Sequence, residues 1–79
     1  MTYEVKLPSL GQDAADTATI SYWLVEEGDK VKEGEDLVEM TTDKAAFIVP
    51  SPKGGVLIEK LVQEGDEISV GDVVCVLEV

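Results

Sequence analysis

Hydrophobic and polar residues alternate along the chain in short runs, and Gly, Asp and Pro recur at short intervals between them. Val, Ile and Thr are frequent within these runs, which is typical of strands. No stretch sustains a period of three to four residues with helix caps, so we predict no long helix. The runs that we expect to form strands are residues 3–7, 17–25, 37–42, 45–49, 56–62 and 73–79.

An internal repeat organises these runs, because a shift of 37 positions superimposes the two halves of the sequence. Residues 24–31 (LVEEGDKV) fall on residues 61–68 (LVQEGDEI), and Gly34 falls on Gly71. Two similar units of about four short strands each would bury their apolar faces against one another. We therefore predict one all-β domain over residues 1–79. Its fold would be a flattened barrel or sandwich of two antiparallel, roughly four-stranded sheets with pseudo-two-fold symmetry.

The hydrophobic positions of the runs also predict which side chains fill the core. Alternation is imperfect over residues 22–24, which indicates a bulge or a strand buried on both faces. The single cysteine, Cys75, lies in an apolar run and is expected to be a buried thiol. The residues that we expect in the core are Trp23, Val25, Leu37, Phe47, Val49 and Leu61.

Asp43 and Lys44 lie between two expected strands and suit the centre of a tight hairpin turn. An ordinary charged turn would explain the tripeptide Asp43-Lys44-Ala45 by itself. Its central position between the two repeats favours a lysine presented for modification by another enzyme. The repeat carries position 44 just past the C-terminus, so we expect the chain ends at the edge opposite Lys44.

Composition excludes several classes of function. The chain has 17 acidic residues against six lysines, a net charge of −11, which disfavours binding to nucleic acids and to anionic lipid. The longest apolar run, residues 73–77, is too short to cross a membrane. Residues 1–6 lack the pattern of a secretory signal. None of these patterns indicates secretion.

Catalytic and metal chemistry is also limited by composition. The absence of histidine removes the Ser-His-Asp and Cys-His arrangements, and one cysteine cannot form a multi-cysteine zinc site. The acidic residues 33–36 lack the alternating ligand spacing of a calcium loop. We therefore expect no catalytic residue and no metal site, and a self-sufficient enzyme with these gaps in composition would be unusual.

The segment Glu39-Met40-Thr41-Thr42-Asp43-Lys44-Ala45 resembles the lipoylation motif of the lipoyl domains found in acyltransferase components of 2-oxo acid dehydrogenase complexes. The similarity extends over nearly the whole chain. It includes residues 7–11, 23–29, 50–55, 63–66 and 70–72.

This resemblance implies lipoic acid in amide linkage to Lys44, with Asp43 and Ala45 forming the recognition turn. It implies modification by a lipoate ligase or lipoyl transferase. Acyl groups and reducing equivalents would then pass between a thiamine-dependent decarboxylase, the acyltransferase core and dihydrolipoyl dehydrogenase. Among such complexes we expect pyruvate dehydrogenase, and we expect the isolated domain to be a monomer. The resemblance also implies a carrier domain that is not itself catalytic. It implies a bacterial cytoplasmic location or, for a eukaryotic source, the mitochondrial matrix.

Two departures from the family pattern concern recognition. Thr41 stands where the family usually has Glu, and residues 11–17 differ from the family's usual loop, which we expect to lie beside Lys44. The main alternative is a biotin carrier, which shares the fold but normally flanks its lysine with two methionines. Asp43 and Ala45 favour the lipoyl group instead. A second alternative is a lipoyl domain fused to dihydrolipoyl dehydrogenase.

Overall fold

The computed structural model describes residues 1–9 and 16–79, and this part of the chain contains eight strands and no helix. Two four-stranded antiparallel sheets pack face to face, in the orders β1-β8-β6-β3 and β5-β4-β2-β7. The strands are β1 (Thr2–Lys6), β2 (Thr17–Trp23), β3 (Lys30–Val31), β4 (Asp36–Thr41), β5 (Ala46–Pro50), β6 (Gly55–Lys60), β7 (Glu67–Ser69) and β8 (Val73–Glu78).

The predicted all-β fold and its pseudo-two-fold symmetry are confirmed. Strands β2, β3 and β4 correspond to β6, β7 and β8, and β5 corresponds to β1, so the two sheet orders are equivalent. The six expected strands are all present, with ends that differ by at most two residues. The two shortest strands, β3 and β7, were not predicted, because two or three residues are too few to show an alternating pattern.

Hydrogen bonds repeat the symmetry at the turns. The Asp29 N–H donates to the Glu26 carbonyl at 3.1 Å, and the Glu26 N–H donates to the Asp29 carboxylate at 2.9 Å. The equivalent bonds join Asp66 and Gln63 at 3.0 and 2.9 Å. Gly28 closes the first turn with φ of 96°, a conformation that costs other residues a steric clash. The Gly-Asp pairs of the repeat are therefore turn signals.

The core lies between the two sheets. Val25, Leu37 and Val49 are buried as expected, whereas Trp23 and Phe47 are only partly buried and pack against the core from its margin. Cys75 is buried, as expected. The buried hydrophobic residues are Val5, Leu7, Ala18, Ile20, Val25, Val31, Leu37, Val38, Met40, Val49, Leu57, Ile68, Val74, Cys75 and Leu77.

The prediction that Leu61 belongs to the core is wrong, since 46% of the residue is exposed. The register between β6 and β8 shifts between Leu57 and Glu59, which is a β-bulge. One extra residue reverses which face the following side chains occupy. Leu57 is therefore buried while Leu61 points outward, and Lys60 turns inward with only 18% of its side chain exposed.

The chain ends and the Lys44 hairpin occupy different sheets. Strands β1 and β8 pair along their length, and the Met1 amine lies 2.9 Å from a carboxylate oxygen of Glu78. The hairpin with Lys44 joins β4 and β5 of the other sheet. The structure thus places Lys44 and the chain ends in different sheets, and the expected opposite edge stays a prediction.

Candidate functional site

Lys44 lies at the tip of the β4–β5 hairpin. Thr41 and Ala46 are the last paired residues of the two strands, and the Thr42 N–H donates to the Ala45 carbonyl at 2.8 Å. Asp43 and Lys44 close the turn beyond this bond, and both are exposed. The predicted hairpin with an exposed lysine at its tip is therefore present.

The hydroxyl of Thr42 organises this turn from within. It accepts hydrogen bonds from the backbone N–H groups of Lys44, at 3.2 Å, and Ala45, at 3.3 Å. It also donates to the Ala45 carbonyl at 3.3 Å. The sequence analysis missed this role, although threonine hydroxyls are known to bond to backbone groups two residues further along in turns. Thr42 thus fixes the backbone from which the Lys44 side chain projects.

The other lysines occupy different surroundings. Lys60 packs against the Trp23 ring, with its Nζ 5.0 Å from the ring centroid and 3.5 Å from a carboxylate oxygen of Glu26. Lys32 is exposed in a turn, where its backbone N–H donates to the Glu35 carboxylate at 3.0 Å. The remaining exposed lysines are Lys6, Lys30 and Lys53. Lys44 is the lysine that occupies the tip of a strand-to-strand hairpin in the described residues.

A shallow depression flanks the hairpin on the side of β2 and β7. Its walls come from the start of β2, the end of β4, the turn and the first residue of β7. The expectation that residues 11–17 lie beside Lys44 falls mainly on residues 11–15, which are outside the described part of the chain. Thr17 does reach this depression. The residues that line it are Thr17, Ala18, Thr19, Thr41, Thr42, Asp43 and Glu67.

Cys75 takes no part in chemistry at the hairpin. It is fully buried in β8, and burial raises the pKa of its thiol to about 11 from an ordinary value of 9.0. Because the thiolate is the reactive form, this thiol is inert near neutral pH. It would not exchange with a disulfide carried elsewhere on the molecule.

Two structural features bear on membranes and metals. No helix in the described part of the chain has the length and apolarity needed to cross a membrane. Within residues 1–9 and 16–79, His, Cys, Asp and Glu side chains nowhere gather in threes as candidate metal ligands.

Comparison with known proteins agrees with this geometry. A family model described as "Biotin-requiring enzyme" matches residues 3–78. The chain is 38% identical over 77 residues to a dihydrolipoyllysine-residue acetyltransferase component of the pyruvate dehydrogenase complex from Corynebacterium glutamicum. It is 43% identical over 74 residues to a dihydrolipoyllysine-residue succinyltransferase component of the 2-oxoglutarate dehydrogenase complex from Staphylococcus saprophyticus.

These two relatives are much longer proteins. The matches cover 98% and 94% of the chain but only 11% and 17% of the relatives. Among solved structures, the lipoyl domain of the 2-oxoglutarate dehydrogenase complex from Azotobacter vinelandii superimposes with a TM-score of 0.75 at 28% identity. That similarity covers 96% of the chain and 95% of the solved domain.

Proposed function

The chain belongs to the family of biotin- and lipoyl-carrying domains, and we propose that it carries a lipoyl group on Lys44 in a 2-oxo acid dehydrogenase complex. Lipoyl domains of this family carry lipoic acid covalently attached to a lysine, and they are carriers rather than catalysts. The observation that carries the proposal is the exposed position of Lys44 at a hairpin tip fixed by Thr42.

The residues present suit an amide-linked arm. Attachment requires an amine that another enzyme can reach, and Lys44 is exposed between two exposed neighbours, Asp43 and Ala45. Lys60 fails the same requirement, because its side chain is mostly covered and its Nζ contacts Glu26 and Trp23. The turn itself holds a fixed backbone conformation for an enzyme to recognise.

Attachment at Lys44 would add a dithiolane that can accept an acyl group and be reduced to a dithiol. The protein's own contribution is to hold the root of the arm away from its core and to keep its one thiol, Cys75, out of that chemistry. A carrier tethered to its partners reaches them at effective concentrations in the mM range when its linker spans the distance. The domain therefore supplies position rather than catalysis.

The partners in this proposal are a lipoate ligase, a thiamine-dependent decarboxylase, an acyltransferase core and dihydrolipoyl dehydrogenase. Among 2-oxo acids we propose pyruvate, supported by the relative from Corynebacterium glutamicum, although the relative from Staphylococcus saprophyticus acts in a 2-oxoglutarate complex. We further propose that the isolated domain is monomeric. Its location would be that of the complex, in the bacterial cytoplasm or the mitochondrial matrix.

The choice between lipoyl and biotin can be tested with the two attachment enzymes. The purified chain is incubated with lipoate ligase, lipoate and ATP, or with biotin ligase, biotin and ATP, and its intact mass is measured. We expect one lipoyl group in the first reaction and no addition in the second, because Asp43 and Ala45 flank the lysine. One biotin group with no lipoyl group would contradict the proposal.

The role in a complex needs a second measurement. The lipoylated chain is incubated with decarboxylases specific for pyruvate, 2-oxoglutarate or branched-chain 2-oxo acids, each with its labelled substrate and thiamine diphosphate. We expect acyl label on the protein with at least one decarboxylase, and most rapidly with pyruvate. Equal failure with all three would overturn the proposed function. Faster labelling from another substrate would refute only the assignment to pyruvate.

A further inference from the structure

The depression beside the Lys44 hairpin is formed mainly by threonines. In the sheet that carries Lys44, Thr19 pairs with Thr41 on one side and with Glu67 on the other. Ala18, which precedes Thr19, is buried, so the Thr19 side chain points to the outer face of the sheet. We call this surface the threonine depression, and its residues are Thr17, Ala18, Thr19, Thr41, Thr42, Asp43 and Glu67.

The equivalent surface on the other sheet has no hydroxyl at the corresponding positions. The 37-residue shift takes Thr19, Thr41 and Glu67 to three residues that pair in the same order. These residues are Val56, Glu78 and Lys30. Because both surfaces belong to the same framework of strands, folding does not require threonines beside the hairpin.

The hydroxyls of Thr19 and Thr41 are available to a ligand. In the part of the chain that the structure describes, neither hydroxyl bonds to another group of the protein, whereas the Thr42 hydroxyl is bonded to the turn. Both Thr19 and Thr41 are half-buried. A threonine hydroxyl can donate one hydrogen bond and accept others. The pair therefore offers two polar groups, each next to a methyl group, at a partly covered position.

The chemistry of the proposed arm matches this lining. Asp43 belongs to the threonine depression and is next to Lys44, so the depression begins at the root of the arm. The lipoyl amide has a carbonyl that accepts a hydrogen bond from a hydroxyl and an N–H that donates to a carboxylate such as that of Glu67. Amide formation also removes the positive charge of the lysine, and the neutral arm is not repelled by a chain whose net charge is −11.

A weak site is sufficient for a ligand that is already attached. The threonine depression has a volume of about 440 Å³, within the range of about 300–1,000 Å³ for small-molecule sites. A short flexible tether gives its ligand an effective concentration in the mM range. With a dissociation constant of about 1 mM, the arm would then occupy the site for about half of the time or more.

We infer that the oxidised lipoyl arm on Lys44 rests in the threonine depression between transfers, with its amide bonded to the hydroxyls of Thr19 and Thr41. The inference rests on the proposed function, since it requires a lipoyl group on Lys44. Resting there covers part of the dithiolane ring and shields it from small reductants. A partner enzyme then takes the arm from a defined position on the domain.

A second surface near the hairpin is less suited to the amide. Tyr22, Glu39 and Ile48 are side by side on the same sheet, two residues further from the tip than the pair of threonines. Tyr22 and Ile48 are 45% and 43% exposed. The Tyr22 hydroxyl donates to Glu39 Oε1 at 3.2 Å, and the negative charge of Glu39 raises the pKa of Tyr22. The polar groups of this surface are thus already paired with each other.

The mobility of the arm tests the inference directly. The chain is labelled with ¹⁵N at the lysine side-chain nitrogens and lipoylated, and the new amide N–H on Lys44 is followed by NMR relaxation. We expect an order parameter above about 0.6, the upper limit for flexible groups. We also expect nuclear Overhauser effects between the arm and the methyl groups of Thr19 and Thr41. The double variant Thr19→Val, Thr41→Val keeps the shape of the surface, and we expect its order parameter to fall below about 0.6.

The matched control is Thr2→Val, which removes the hydroxyl of an exposed threonine on the other sheet. We expect it to leave the order parameter unchanged. A second measurement is the rate at which a small phosphine reduces the dithiolane. We expect this rate to rise about twofold in the double variant, as release from a half-occupied site requires, and to stay unchanged in the control. Thr41→Val alone provides the same test if the double variant does not fold.

Three results would overturn the inference. Equal mobility of the arm in the unsubstituted chain and the double variant would show that the hydroxyls do not hold it. Nuclear Overhauser effects to Tyr22 and Ile48 in place of the threonines would assign the arm to the second surface. Equal reduction rates in all three proteins would show that the ring is not shielded. A chain that lipoate ligase leaves unmodified would contradict the proposed function itself, whereas a lipoylated chain with a freely mobile arm would refute the resting site alone.

Discussion

The Lys44 hairpin and the pair of chain ends occupy equivalent positions in the two halves. The Thr42 N–H donates to the Ala45 carbonyl at 2.8 Å, and the equivalent Val79 N–H donates to the Met1 carbonyl at 2.7 Å. In the first pair, Asp43 and Lys44 join the two strands through a tight turn, whereas β1 and β8 pair without a turn between them. The same strand pairing therefore forms with and without a connecting turn.

The prediction with the largest expected effect compares the stability of variants at Leu57 and Leu61, which are on either side of the bulge that both halves contain. Leu57 is fully buried and Leu61 is 46% exposed, although both belong to one hydrophobic run. We expect Leu57→Ala to lower the free energy of unfolding by about 3 kcal/mol. Leu61→Ala should lower it by less than about 1 kcal/mol. Urea denaturation of the two variants measures both values, and similar losses would contradict the position of the bulge.

A second difference concerns the room available beside the chain ends. Gly55 is the counterpart of Ala18 in the repeat, but a Cβ atom at Gly55 would clash with the Glu78 carbonyl oxygen. We expect Gly55→Ala to destabilise the fold by about 2–3 kcal/mol in thermal unfolding. Gly54→Ala is the matched control, since its Cβ would make only ordinary contacts at 3.7 Å. Equal effects of the two substitutions would refute the close approach of Gly55 to Glu78.

A third difference appears at high pH. Cys75 is the counterpart of the buried Val38, and its pKa is raised to about 11 by burial. The unfolded thiol loses its proton from about pH 9, while the folded thiol keeps it until about pH 11. Stability should therefore fall across this window, by about 2 kcal/mol at pH 11.

The variant Cys75→Val isolates this loss, because the valine of the other half shows that the core position accepts its shape. Urea denaturation of both proteins is measured at intervals between pH 8 and 11. The free energy of unfolding should fall less over this range in the variant than in the unsubstituted chain. The contribution of Tyr22, whose pKa is also raised, is common to both proteins and cancels. Parallel pH profiles would show that Cys75 does not titrate as described.

The smallest expected effect tests the hydroxyl at the hairpin. Val79 is the counterpart of Thr42, so Thr42→Val retains the backbone bond to Ala45 and removes the hydroxyl contacts with Lys44 and Ala45. We expect a loss of about 1 kcal/mol in stability. Amide hydrogen exchange at Lys44 and Ala45 should become faster, with Thr19→Val as the control. Unchanged exchange would show that the hydroxyl does not fix the turn.

The sequence predicted the architecture well, because glycines, acidic turn residues and aliphatic core residues recur at the constant spacing of the 37-residue repeat. Its error at Leu61 came from treating strand alternation as unbroken. Residues 22–24 showed irregular alternation, and applying that bulge to the equivalent positions of the second half would have placed Leu61 outside. Local irregularity in one repeat is therefore informative about the other.

The site was only partly predictable. The exposed Lys44 followed from its central position and from the family motif, whereas the bonds of Thr42 depend on side-chain geometry that spacing does not describe. Strand register brings Tyr22, Glu39 and Ile48 side by side from distant parts of the sequence. The irregular alternation over residues 22–24 indicated a bulge, but it did not specify which residues of the neighbouring strands the bulge brings opposite Tyr22.

The most direct test of the account locates the attached group. The chain is treated with lipoate ligase, digested and mapped by tandem mass spectrometry, beside Lys44→Gln and the matched turn variant Lys32→Gln. We predict a single lipoyl group on Lys44 in the unsubstituted chain and in Lys32→Gln, and none in Lys44→Gln. A lipoyl group on another lysine, or a folded chain left unmodified by an active ligase, would contradict the account.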